Sequence, residues 1–158
     1  GRSTQPVAFT LVRPAGPTRV ISLGQAKEPV AAAPTDADFA EAATWRIELP
    51  AKLDMTTDPL LRITYVGDVA RVMAGGKLLT DDFYNGRALE VGLRRFATEL
   101  SGGELTIEIL PLQADAPIYF SSADARSALG HERAVARIDR IELISRPTVS
   151  AVSATPAK

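Results

Sequence analysis

Residues 67–96 read GDVARVMAGGKLLTDDFYNGRALEVGLRRF. Val69, Arg71 and Met73 alternate with Ala70, Val72 and Ala74, the period of a strand with two unlike faces. Gly75-Gly76 then admits positive φ at both central positions of a tight hairpin. Residues 77–80 return beside the first strand. Residues 81–87 are too polar for a core strand and carry two aromatics of exposed type, Phe83 and Tyr84. Asn85-Gly86 is a turn signal in its own right. A hairpin in mid-chain sets the expectation of an antiparallel β fold.

The flanking sequence extends it. Trp45, Ile47 and Leu49 alternate with Arg46 and Glu48, then Pro50 stops the run. Leu61, Ile63 and Tyr65 alternate with Arg62 and Thr64, and Leu105, Ile107 and Ile109 with Glu104, Thr106 and Glu108 before Pro111. Residues 7–12 (VAFTLV) make one strand between Pro6 and Pro14, residues 19–23 a short second, and residues 88–93 and 118–120 two more. Over 135–144, Val135, Ile138 and Ile141 are spaced by three, but Ile141 and Leu143 alternate; a strand whose phase slips at a bulge near Asp139-Arg140 reconciles the two. Residues 24–43 turn to Ala, Pro, Asp and Glu, a surface connection in which Thr35 caps a short helix over 36–42. Residues 148–158 form a low-complexity flexible tail, which leaves 1–147 as a single domain. With about eight or nine strands, little helix and no strand–helix alternation, the expected fold is all-β: an antiparallel β-sandwich of jelly-roll topology.

Composition agrees. A chain of 158 residues, 46% hydrophobic, can build one core and bury roughly two-thirds of its unfolded surface. Its 18 basic and 19 acidic residues are intermixed, giving a net charge of −1. Without a basic stripe, neither nucleic acid nor a membrane surface is indicated as partner. No apolar run approaches the roughly 20 residues that span a bilayer. The absence of cysteine excludes disulfides, thiolate catalysis and cysteine metal sites, and suits a cytosolic or a Gram-negative periplasmic protein. Gly1-Arg2-Ser3-Thr4 carries no signal-peptide hydrophobic stretch and no initiating Met, so a processed product or an excised piece of a longer chain is expected.

The segment GDVARVMAGGKLLTDDFYNGRALEVGLRRF, followed at 104–120 by ELTIEILPLQADAPIYF, resembles the non-catalytic β-sandwich region of bacterial β-galactosidases in or near glycoside hydrolase family thirty-five. The matched portion covers about residues 61–120. Where that family usually has an Asn-Gly turn, Gly75-Gly76 stands here; the turn is kept and an amide side chain is lost. The resemblance implies a galactose-binding-like jelly roll attached to a glycosidase, a catalytic barrel domain of a parent chain as partner, and a periplasmic or extracellular location. It brings no catalysis with it, because the family's two catalytic glutamates sit on a TIM barrel that a chain of this length cannot contain.

The residues themselves point the same way. A retaining glycosidase needs two carboxylates about 5 Å apart, and Asp81-Asp82, the one acidic pair near aromatics, would point to opposite faces of a strand. His131 is the sole histidine, without the partners of a metal site or a triad. No cofactor is indicated; a structural Ca²⁺ would draw on loop oxygens of Asp36, Asp38 or Asp115. Sugar binding needs an aromatic face and planar hydrogen-bonding groups. Asp82, Tyr84, Asn85 and Arg87 form the local set that offers both, against the plainer reading that the cluster packs on a neighbouring domain. Trp45 is a candidate stacking platform, although its phase with Ile47 and Leu49 makes it core first. Tyr119 and Phe120 lie in the resembling segment, one of them expected in the core. The expectation is an accessory domain without activity of its own, an interdomain scaffold and carbohydrate-binding module; the alternative is a stand-alone extracytoplasmic domain that binds carbohydrate or protein.

Overall fold

The computed structural model describes residues 1–24, 31–116 and 133–147. The expectations for residues 118–120, Tyr119, Phe120, His131 and the 148–158 tail lie outside them. Among the described residues eleven strands run in chain order: β1 (Ser3–Pro6), β2 (Ala8–Arg13), β3 (Ala43–Glu48), β4 (Leu60–Val66), β5 (Val69–Ala74), β6 (Lys77–Phe83), β7 (Leu89–Gly92), β8 (Leu105–Ile109), β9 (Leu112–Gln113), β10 (Ala134–Val135) and β11 (Arg137–Ser145). They form a four-stranded sheet ordered β1-β11-β4-β7 and a five-stranded sheet ordered β2-β3-β8-β5-β6, with β9 and β10 as a separate pair. Every pairing is antiparallel. The chain passes between the two large sheets after β1, β3, β4, β6 and β7, and again from β8 to β11 by way of the β9–β10 pair, as the expected jelly-roll sandwich requires.

Alternation along the strands produces the core. Trp45, Ile107 and Val72 face one another across β3, β8 and β5 and are all buried. Leu61, Ile63, Ile141 and Leu143 project from β4 and β11 to meet them. Trp45 is 8% exposed, so its ring belongs to the interior and gives no stacking platform. Gly75 and Gly76 take φ of 56° and 80°, the left-handed values that the tight β5–β6 turn demands. The phase slip in the last strand is a register shift between Ile138 and Arg140, opposite β4. In the Ala/Pro/Asp/Glu connection, a 3-10 turn spans Asp36–Glu41, and the Thr35 amide donates to Asp38 Oδ2 at 2.7 Å. Phe39 and Ala42 from this turn cover Val69 and Leu110 on the outer face of the five-stranded sheet. Arg71 lies 3.8 Å from the Phe39 ring centre and pairs with Asp36 at 2.8 Å.

One local reading changes and two segments gain structure. The strand expected over 7–12 is β2, and β1 precedes it, with Pro6 on an edge strand where a missing N–H is tolerated. Residues 19–23 form no strand; Leu23 makes a lone bridge with Ala31. Residues 94–102 coil into a 3-10 turn (Arg94–Phe96) and a short α-helix (Ala97–Gly102).

Two substitutions check this layering by urea unfolding. Ile107→Ala should cost about 2–5 kcal/mol through the cavity it leaves. Leu78→Ala, at an edge position 46% exposed, should stay within about 0.5 kcal/mol of the unmutated chain. Equal losses at the two positions would contradict the placement of the core.

Candidate functional site

β4 ends at Val66 and β5 begins at Val69, so Gly67 and Asp68 alone carry the chain from one sheet to the other. The crossover is tight: a Cβ on Gly67 would collide with Cγ2 of Ile109. Asp68 is 4% exposed, the one buried charged residue among those described. Arg19 meets it with Nε donating to Oδ2 at 2.6 Å and Nη2 to Oδ1 at 3.3 Å, while Nη1 donates to the Ala32 carbonyl at 3.1 Å. The Asp68 amide donates to the Leu110 carbonyl at 2.8 Å, and its carbonyl accepts from the Tyr84 amide at 3.0 Å. One residue thus ties together the crossover, the chain after β8, the chain after β6 and the N-terminal loop.

The expected polar cluster sits just beyond this junction and is rearranged by it. β6 runs on through Asp81, Asp82 and Phe83. This is an edge strand, hydrogen-bonded on one side only, so acidic residues are accommodated there. Tyr84 is 5% exposed, packed with its ring centre 5.4 Å from that of Tyr65. It is therefore an interior residue, pulled inward by its amide bond to Asp68, and offers no face to a sugar. Tyr65 donates its hydroxyl to Asp82 Oδ2 at 2.6 Å, a tie between the two sheets. Burial, then the charge of Asp82, raises the Tyr65 phenol far above its ordinary value. Burial also raises the Asp82 carboxyl, opposed by the Tyr65 hydrogen bond and assisted by Asp81. Asn85 Oδ1 accepts from the Arg87 amide at 3.0 Å, closing a turn that leaves Arg87 exposed. Of the five expected sugar contacts, Arg87 is thus exposed, Asp82 and Asn85 are half-buried, and Trp45 and Tyr84 are enclosed.

Asp81 is exposed while Asp82 is turned to Tyr65, so the pair forms no carboxylate dyad. The expected calcium donors are dispersed: Asp36 pairs with Arg71, Asp38 caps Thr35, and Asp115 lines a different cleft. Among the described residues no three histidine or carboxylate groups converge on a metal-sized space. The cleft at Asp115 holds about 290 Å³ above the Arg19–Asp68 pair, with Thr18, Gln113 and Asp115 as polar walls and Ile21 and Pro111 as apolar ones. The sequence carried half of this junction: Asp68 is one acid in an otherwise apolar run, the pattern of a carboxylate with a buried partner. Arg19 lies 49 positions away and carried no such signal.

No protein-family model matches the chain, and no curated protein matches it. Among solved structures, a portion of Bifidobacterium dentium β-glucuronidase, determined with coumarin-3-O-glucuronide, is similar at a TM-score of 0.45 and 16% identity. The likeness takes in 92% of this chain and 30% of that enzyme, so the chain spans under a third of its length. Likeness of this degree assigns neither a family nor an activity to the chain.

The Asp82–Tyr65 tie has a pH signature. The fold holds the Asp82 proton more tightly than the unfolded chain does, so stability falls as pH rises from the ordinary aspartate value of about 3.9 through the raised one. Asp82→Asn keeps an oxygen for Tyr65 and removes that fall. The stability gap between this variant and the unmutated chain should widen in the variant's favour from about pH 4 to about pH 7. A gap independent of pH would contradict it.

Proposed function

We propose that the chain is a non-catalytic accessory β-sandwich of a β-galactosidase-like glycoside hydrolase, serving as a scaffold against the catalytic barrel of its parent protein in the periplasm or outside the cell. One observation carries this reading: four residues of the segment that resembles such regions are taken up by the fold itself. Gly67, Asp68, Asp82 and Tyr84 hold crossover, edge strand and core together. A segment kept for a reaction would present those groups to a ligand.

The surface supports a scaffold as well. Exposed large apolar side chains collect on the two outer strands of the five-stranded sheet, Leu78 and Phe83 on β6 and Leu11 and Val12 on β2. Uncovered edges with large apolar groups are what a neighbouring domain would cover. A second role, holding a galactoside-containing glycan, has one specific support in the cleft beside Arg19 and Asp68, where hydroxyl, amide and carboxylate groups adjoin apolar walls.

The chain alone should not hydrolyse an aryl β-galactoside. Titration with galactose-containing oligosaccharides at millimolar concentration separates the two roles by amide NMR. Unmoved resonances are expected for a scaffold alone, and saturable shifts at Thr18, Gln113 and Asp115 for glycan binding in the cleft. Turnover by the isolated chain, lost in Asp82→Asn, would overturn the non-catalytic reading.

A further inference from the structure

The four-stranded sheet ends in a row of residues in register, Thr4 on β1, Ile144 on β11, Leu60 on β4 and Gly92 on β7. Immediately past this row the chain places Arg2, Arg146, Asp58 and the pair Arg94-Arg95. Backbone hydrogen bonds fix these segments to one another: the Arg146 amide donates to Thr57 O and the Leu93 amide to Pro59 O, both at 3.0 Å. Two adjoining cavities open here, of about 120 and 430 Å³, and share Asp58 and Gly92 as walls. Arg2 and Arg146 line the first, Arg94 and Arg95 the second.

Charge sets this end apart. Arg19, Arg46, Arg62, Arg71, Lys77, Arg137 and Arg140 each meet a carboxylate. None of the four arginines at the sheet end does so among the described residues, and Asp58 is the sole acid lining their cavities. The chain as a whole carries −1. Four arginines gathered around one acid, none of them in an ion pair among the described residues, are arranged to repel unless an anion joins them. Guanidinium groups present planar forks of donors that match the oxygens of carboxylate, sulfate or phosphate. Arg95 is further steadied over the Phe96 ring, 4.5 Å from its centre.

We propose that this end of the four-stranded sheet is an anion-binding site, in which Arg2, Arg94, Arg95 and Arg146 take a multiply charged oxyanion, free in solution or carried as the sulfate or carboxylate groups of an acidic saccharide. The site is distinct from the Asp68 junction and does not depend on the scaffold reading. Because the arginines are exposed, binding is salt-sensitive.

Amide NMR titration with sodium sulfate, against sodium chloride at matched ionic strength, tests the proposal. Saturable shifts at Asp58, Gly92, Arg94, Arg95 and Arg146 are expected with sulfate and not with chloride. A double variant, Arg94→Gln with Arg146→Gln, should bind sulfate at least tenfold more weakly at unchanged Tm. A sulfated disaccharide that binds more tightly than sulfate, while its unsulfated counterpart does not bind, identifies the saccharide as the source; equal affinity for sulfate and the sulfated sugar identifies the free ion. Shifts that chloride reproduces, or that spread equally to Arg87 and Arg133, would overturn it.

Discussion

A carboxylate cannot be taken out of water without a partner, and the fold of this chain hangs on one that is. Asp68 sits where the chain steps between sheets in two residues, too short a span to turn its side chain to solvent. Leaving that charge unpaired would cost several kcal/mol, of order 3–5 by analogy with broken buried pairs. Arg19 therefore has to be brought across from the N-terminal loop, and with it comes Ala32, held by the same guanidinium. The backbone of Asp68 fixes Leu110 and Tyr84 in turn. Burial of one charge thus specifies how four remote segments meet.

The same junction explains why Tyr84 and Asp82, in a segment rich in functional-looking residues, are turned toward other parts of the fold. Once Asp68 anchors the Tyr84 amide, the Tyr84 ring must enter the core beside Tyr65. The Tyr65 hydroxyl then needs an acceptor and finds it in Asp82. Groups that would otherwise contact a ligand are consumed as mutual partners, and no buried polar side-chain atom among the described residues lacks one. What is left for contact lies elsewhere: apolar side chains on the outer edges, the cleft above Arg19 and the arginine-lined end of the smaller sheet.

The architecture was legible because alternation is a local signal. Trp45 to Ile47, Leu61 to Tyr65 and Leu105 to Ile109 declare their buried faces within a few residues, and the doubled glycine fixes the hairpin. The slip in β11 could be read because two incompatible periods met at Asp139-Arg140. The polarity of the cluster at Asp82–Arg87 reads as exposure, whereas an edge strand admits acids and Tyr84 is held inside by its amide bond to Asp68 and its ring contact with Tyr65. The Arg19–Asp68 pair and the gathering of Arg2, Arg94, Arg95 and Arg146 depend on which strand ends coincide, and that is decided by topology rather than by any window of sequence.

The most direct measurement is a double-mutant cycle on Arg19→Gln and Asp68→Asn, read as unfolding free energy in urea. If Asp68 organises the crossover through Arg19, each single change should cost several kcal/mol, and the double variant clearly less than their sum, with a coupling of about 1–3 kcal/mol. Small losses that simply add would contradict the account, because the two side chains would then be neighbours without being the constraint on which the sandwich depends.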